Sequence, residues 1–372
     1  MSFFNGGLYM KTLIVGGGIH GVTIALKLLN AGYEDFAIMD PADLTGQWQK
    51  LTTKINMGHL RSPVVHHIHP DPYDLKRYAK KEDYSQPFSG YYQRPQLEMF
   101  NNHMNNLIKE YQLENYHIRE KAVSIEPGYI INGKHQAEQL ILATGINHLH
   151  YIPEFMADVA HYQHLFDSSQ PLASDIDVVI GGGITACHAV RELTKKRHVT
   201  LIMRHAIRTH ELDSDPGWLG PRNMSAFNKI DDYKERRSII KEARHRGSMP
   251  AHLKQSLKFL ESEGRVTLIK GEVASADHQY LYLTDGRVIP YQSIALATGC
   301  EQAIAKDPLV SQIIQTFNPP LAPCGYPIVT HDLEWFDHVY VSGPLAELEL
   351  GPVSRNIIGG RKASARICQA IS

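Results

Sequence analysis

The sequence has few cysteines, no long apolar run and no surplus of charge, and each lack excludes something. Cys187, Cys300, Cys324 and Cys368 lie far apart, and no two form C-x-x-C. A thioredoxin-type redox pair and the common zinc clusters are therefore excluded, and no metal is expected. So few thiols in 372 residues also exclude a small disulfide scaffold and suit a reducing cytoplasm. The apolar stretches are strand-sized, short of the roughly 18 residues a spanning helix needs, so no membrane partner is expected. The opening MSFFNGGLYM has no basic stretch ahead of an apolar one and does not read as a signal peptide. The fold proper is expected to begin at Lys11. Lys and Arg number 38 against 39 Asp and Glu, a net charge of −1 that gives no reason to expect nucleic acid as a partner. What is present is 43% hydrophobic and 21% charged residues, ordinary for a chain of two to three globular domains.

Along the chain one pattern occurs twice. Lys11–Val15 reads as a buried strand running into Gly16-Gly17-Gly18-Ile19-His20-Gly21. A helix follows with Val22, Ala25, Leu26 and Leu29 on one face, then a strand Phe36–Met39 closing on Asp40. From Asp40 to Arg94 the chain is rich in proline and is expected to be loop-rich. Pro95 is placed at a helix start, with Leu97, Phe100, Met104, Leu107, Ile108 and Tyr111 at helical spacing. A hairpin at Asn132-Gly133 leads to Leu140–Ala143, Thr144 and Gly145. The pattern restarts with a strand at Asp177–Ile180, Gly181-Gly182-Gly183-Ile184-Thr185-Ala186, a helix, and a strand at Val199–Met203. A helix near Pro250–Glu263, a turn at Asp285-Gly286 and a second Ala297-Thr298-Gly299 complete it. This self-similarity implies an α/β fold of two Rossmann-like dinucleotide-binding domains, each with a central parallel sheet and small antiparallel strands. The expected division is 10–170 with 300–372, and 171–299 inserted between them. A strand at His338–Ser342 and a helix after Gly351-Pro352 complete the first part.

Each glycine motif has a physical purpose. Gly16 permits the tight turn, Gly18 lets the backbone approach a pyrophosphate, and Gly21 lets helix and strand pack closely. The helix N-terminus offers free N–H groups to the phosphates. Asp40 ends the second strand, where a carboxylate accepts hydrogen bonds from a ribose. The second copy has Gly181, Gly183 and Ala186, and its second strand ends on Arg204, followed by His205 and Arg208. A cation there attracts a 2′-phosphate, although solvated surface charges would look the same. The acid-tipped half therefore suits FAD and the arginine-tipped half NADPH, a pairing that implies hydride transfer to a flavin.

These motifs, in this order over nearly the whole chain, resemble the single-component flavin monooxygenases, nearest the lysine/ornithine N-hydroxylating type. Gly46-Gln47-Trp48 with Asn56-Met57 resembles the family's loop beside the isoalloxazine, which implies FAD contacts from Gln47 and Trp48. Asp215–Pro221 resembles a segment of its NADPH half. Gly343–Asn356 sits where the family's last FAD contact lies, implying contacts from Gly343, Gly351 and Pro352 and a helix N-terminus facing the flavin. The resemblance implies oxygen insertion through a flavin hydroperoxide into an amine-like or other soft nucleophile, with O2 and a small molecule as partners. Two features depart from it. The Baeyer–Villiger fingerprint F-x-G-x-x-x-H-x-x-x-W is missing, and Met57–Pro63 lacks the lysine that amino-acid N-hydroxylases carry. A flavoprotein reductase or dehydrogenase without oxygen insertion, or a flavin-bearing sensor, would use the same domains.

No catalytic side chain stands out. Arg61 is a candidate to pair with a substrate carboxylate, the alternative being a structural ion pair. His66-His67-Ile68-His69 with Asp71 looks like a metal cluster but is expected to be a partnered or substrate-facing loop. Cys187 reads as a small buried hydrophobe. The basic residues Lys234–Arg237 and Arg244–Arg246 are either a solvated helix face or help for NADPH phosphates.

Overall fold

Two parallel sheets, each assembled around one glycine motif, form the frame. The computed structural model describes residues 2–4 and 7–371. The first sheet runs Glu334–Phe336, Val339–Val341, His135–Leu142, Gly7–Val15, Phe36–Met39, His117–Ile118. Its middle strands are parallel, with Val15 opposite both Met39 and Leu142, and Val341 opposite Leu142. The second sheet runs Tyr162–His164, Ile294–Leu296, Val178–Ile180, Val199–Met203, Val266–Lys270, parallel throughout. Strands such as Leu13–Val15 and Val178–Ile180 are buried on both faces, as helix-covered parallel sheets require. Helices Ile19–Asn30 and Ile357–Ile371 pack on each other against the first sheet, burying Val22, Leu26, Ala363 and Ile367 completely. A small antiparallel sheet, Val273–Ala276, Tyr280–Leu283 and Val288–Pro290, hangs from the second half. Asn132 and Gly133 turn the expected hairpin with φ of 55° and 68°.

Several expectations shift. The first strand begins at Gly7, not Lys11, and residues 2–4 pair antiparallel with it. Tyr162–His164 lies in the second sheet, ahead of the expected boundary at 171, because it supplies the edge beside Ile294–Leu296. The stretch expected to be loop-rich contains helices Gly46–Lys54 and Asp74–Lys81. The first places Trp48, Leu51, Thr52 and Ile55 at helical spacing, a signal too short to stand out among prolines. Pro95 pairs with Phe88 in a short ladder, its carbonyl accepting from Leu60 N, so the helix starts later, at Leu97. Helix Pro308–Phe317, capped by Asp307 accepting from Val310 N at 2.9 Å, was not expected.

Candidate cofactor-binding and active site

Ligands of open α/β sheets collect beyond the carboxyl ends of the strands. Here both sheets point those ends at one cavity of about 1230 Å³. Gly16, Asp40, Ala143 and Ser342 line it from the first sheet, and Gly181, Arg204, Gly271 and Ala297 from the second. Its volume exceeds the usual 300–1,000 Å³ or so of a single-ligand pocket.

The first loop is built by close approach. Gly16 has φ +110°, and a Cβ there would lie 2.5 Å from the Ala143 carbonyl oxygen. A Cβ on Gly21 would lie 1.8 Å from the Gly16 oxygen, whereas one on Gly18 would meet nothing within 4 Å. Gly21 thus serves packing and Gly18 faces the open cavity. Asp40 accepts hydrogen bonds from Gly17 N at 2.7 Å and Ala42 N at 2.8 Å, so it also braces the loop. Thr45, left-handed at φ 57°, donates its N–H to the Gly17 carbonyl and launches the helix that carries Gln47 and Trp48 to the cavity wall. The Trp48 ring tilts against Phe100, and its buried Nε1 has no partner among the described residues.

His20, an unremarked position of the motif, proves structural. Its Nε2–H donates to the Asn356 carbonyl at 2.9 Å, which leaves Nδ1 to accept from the Ser342 hydroxyl at 2.8 Å. The ring lies against Gly343 and Gly360, and burial lowers its pKa to about 4. It ties the first loop to the C-terminal segment. Of that segment, Gly343, Pro344, Asn356 and Ile357 line the cavity. Gly351 and Pro352 do not: both are buried, with Gly351 packed on Met224 and Phe227. At this end Asn356 and Ile357 reach the cavity instead, because the long helix begins at Ile357, not directly after Pro352.

In the second half Gly181 has φ +145° and approaches the Ala297 carbonyl as Gly16 approaches Ala143. Gly183 faces Gly247, while Gly182 lies under the His205 ring. Ala186 is fully buried and keeps to helix packing. Arg204 and Arg208 are exposed at the cavity rim, and Arg208 reaches the Arg246 carbonyl at 3.5 Å. Arg246 shares that rim. It belongs to the basic stretch, whose other members divide differently: Arg236 pairs with Glu349, and Arg237 and Arg244 with Glu347. Cys187 is fully buried, and desolvation raises its thiol pKa to about 12.

Arg61 occupies the structural alternative. Its guanidinium donates to Asp213 at 2.6 Å, to the His210 and Leu212 carbonyls, and to Ser248, joining the two halves. Arg94 and Glu211 repeat the device at 2.8 Å. These donors are spent, so Arg61 has little left for a substrate carboxylate. The histidine cluster is also partnered: His67 Nε2 reaches the Pro72 carbonyl, and His69 Nε2 reaches the Tyr111 hydroxyl. Among the described residues no group of His, Cys, Asp and Glu is arranged to hold a metal, and no helix is long and apolar enough to cross a membrane.

The residues fit dinucleotides: two glycine loops at helix N-termini, an empty approach at Gly18, an acid at one rim and arginines at the other. Fold and site thus define a protein with two dinucleotide-binding domains around a shared cavity. Over residues 13–276 the chain matches the family described as pyridine nucleotide-disulphide oxidoreductase, and it belongs to that family. No curated protein matches its sequence at a significant level. Among solved structures, the ornithine hydroxylase of Pseudomonas aeruginosa is similar at 15% identity and TM-score 0.75, covering 98% of this chain and 100% of that one. The cadaverine monooxygenase of Erwinia amylovora is 12% identical, with TM-score 0.72 over 98% of this chain and 95% of that one. The bacillithiol disulfide reductase of Staphylococcus aureus is 15% identical, with TM-score 0.62 over 98% of both chains. The chain has the fold these proteins share.

Proposed function

We propose that this protein is an FAD- and NADPH-dependent monooxygenase that transfers one oxygen atom of O2 to a small soft nucleophile such as an amine. The observation that carries this is the opposition of two unlike glycine loops across one cavity, one tipped by Asp40 and one by Arg204 and Arg208. The Gly16–Gly21 loop and Asp40 hold the FAD pyrophosphate and ribose. The Gly181–Ala186 loop holds the NADPH pyrophosphate, while Arg204 and Arg208 take the 2′-phosphate. Held there, the flavin would supply the redox chemistry that couples NADPH oxidation to O2 activation. Trp48, Leu51, Ile55, Met57 and Leu60 form an apolar wall that keeps water from the reacting atoms. The N-terminus of helix Ile357–Ile371 places its positive dipole end at the same cavity. The free thiols suit a reducing cytoplasm, where we place the enzyme.

The test supplies NADPH and isotopically labelled O2 with a panel of small amines, following label in product and hydrogen peroxide released. Labelled product, with peroxide falling as amine is added, supports oxygen transfer. Electrons recovered wholly as peroxide, or passed to an added quinone with no label in product, assign the chain to the reductases instead.

A further inference from the structure

At the seam between the halves, positive charge is in excess. Glu347, 1% exposed, receives Arg355 at 2.6 Å, Arg237 at 2.7 Å and Arg244 at 3.4 Å. The Tyr326 hydroxyl donates to the Gln302 carbonyl at 2.6 Å and accepts from Arg237 and Arg355. Three guanidiniums against one carboxylate leave two positive charges uncompensated in a largely buried cluster. The neighbouring Glu349 cannot help, since Arg236 and Arg366 share it. Asp213 is hydrogen-bonded to Arg61, and its charge reaches Arg244 only through space. Buried charge is expensive unless paired, so such an excess is kept only where an anion arrives to meet it.

The excess faces the cavity. Arg244 and Arg355 line it beside Arg246, Gln302 and Asn356. The Arg244 guanidinium gives one hydrogen bond among the described residues, to Glu347. Arg355 gives Nη1 to the Gln302 side chain at 3.2 Å and Nη2 to Glu347 and Tyr326, while its buried Nε has no partner among the described residues. The Arg246 guanidinium donates to no group among the described residues. Burial, and then the charge of Arg355, lower the pKa of both Arg244 and Arg246, and an anion between them would relieve that repulsion.

We propose that Arg244, Arg246 and Arg355 form an anion subsite that takes the carboxylate of the oxygenated substrate, so that the enzyme acts on an anionic molecule. The word substrate rests on the monooxygenase reading; the anion site does not. The phosphates of NADPH are the other source of the same chemistry, but Arg204, Arg208 and the second glycine loop already serve them. Arg355 stands beside Asn356 and Ile357 on the flavin half, and Arg244 and Arg246 on the other, so the subsite spans the seam where reacting groups meet. Arg61, spent on Asp213 and carbonyls, does not compete for the role.

Titration of flavin-loaded protein with butyrate, butyramide and NADP+, read from the flavin difference spectrum, tests this. Butyrate should bind at least about tenfold more tightly than its neutral isostere butyramide. Arg244→Gln should weaken butyrate by about tenfold while changing NADP+ affinity less than about threefold, and Arg246→Gln should weaken butyrate by a similar factor. Melting curves of both variants confirm that the fold persists. Equal binding of butyrate and butyramide overturns the proposal. Loss of NADP+ affinity in Arg244→Gln to match its loss of butyrate also overturns it, by giving the arginines to the cofactor. Butyrate selectivity without oxygen transfer would leave the anion site standing and remove only the monooxygenase reading.

Discussion

Gly18 and Gly21 lie three residues apart in one motif, yet their substitution should fail in different ways. Gly18 has φ −72° and ψ −171°, an extended conformation open to any residue, and a Cβ there meets no atom within 4 Å. Gly18→Val should therefore leave the flavin-free protein within about 0.5 kcal/mol of wild type. What it should abolish is the close approach of a pyrophosphate. Bound flavin at a thousand times its dissociation constant stabilises by about 4 kcal/mol, on the order of 10 °C in Tm. Gly21→Ala instead drives a Cβ to 1.8 Å from the Gly16 oxygen, a collision with backbone. It should cost about 1–3 kcal/mol or more before any ligand is added. The assay is thermal melting of the flavin-stripped proteins with and without FAD, together with flavin occupancy on purification. Stripped Gly18→Val should melt with stripped wild type and gain nothing from FAD; stripped Gly21→Ala should melt lower. Stoichiometric flavin in purified Gly18→Val would refute the assignment of that loop, and a stripped Gly21→Ala as stable as wild type would refute the packing argument.

Arg204→Ala should remove a charge-assisted contact of about 1.5–3 kcal/mol and raise KM for NADPH by roughly one to two decades, leaving NADH use nearly unchanged. Steady-state kinetics with both cofactors, and Arg208→Ala beside it, decide this; equal loss for NADH would mean a positioning defect. Arg61→Ala should lower Tm by removing its hydrogen bonds to Asp213 and two carbonyls, at a cost of about 1–2 kcal/mol; unchanged Tm with poorer coupling of NADPH to product would restore Arg61 as a substrate residue. Burial lowers His20, His66, His164 and His188 to about 4 and His67 to about 3, so these rings stay neutral in the fold while the unfolded chain protonates near 6.5. Their contribution is complete above pH 6.5 and is lost as pH falls toward 4; a Tm that stays level between pH 7 and 5 would contradict it.

The parts legible in the residue order are those written within one βαβ unit. Gly16, Gly18, Gly21 and Asp40 announce the first loop, Gly181, Gly183 and Arg204 the second, and each was placed within a short window where backbone sterics and strand ends decide the outcome. The helix of Gln47 and Trp48 was misread because nine residues between prolines carry too little periodicity. Gly351 and Pro352 are buried away from the cavity, Gly351 against Met224 and Phe227, neighbours far away in the chain. Arg61 shows the limit most plainly. Its charge and loop suited a substrate contact, but its ionic partner Asp213 lies 152 positions on. The same holds for Glu347, whose partners Arg237 and Arg244 come from the other half of the molecule, more than 100 positions away. Steric and conformational preferences act between neighbours and can be read locally. The pairing of buried charges depends on which surfaces the folded sheets bring together, and that is fixed only once both halves have closed on the cavity between them.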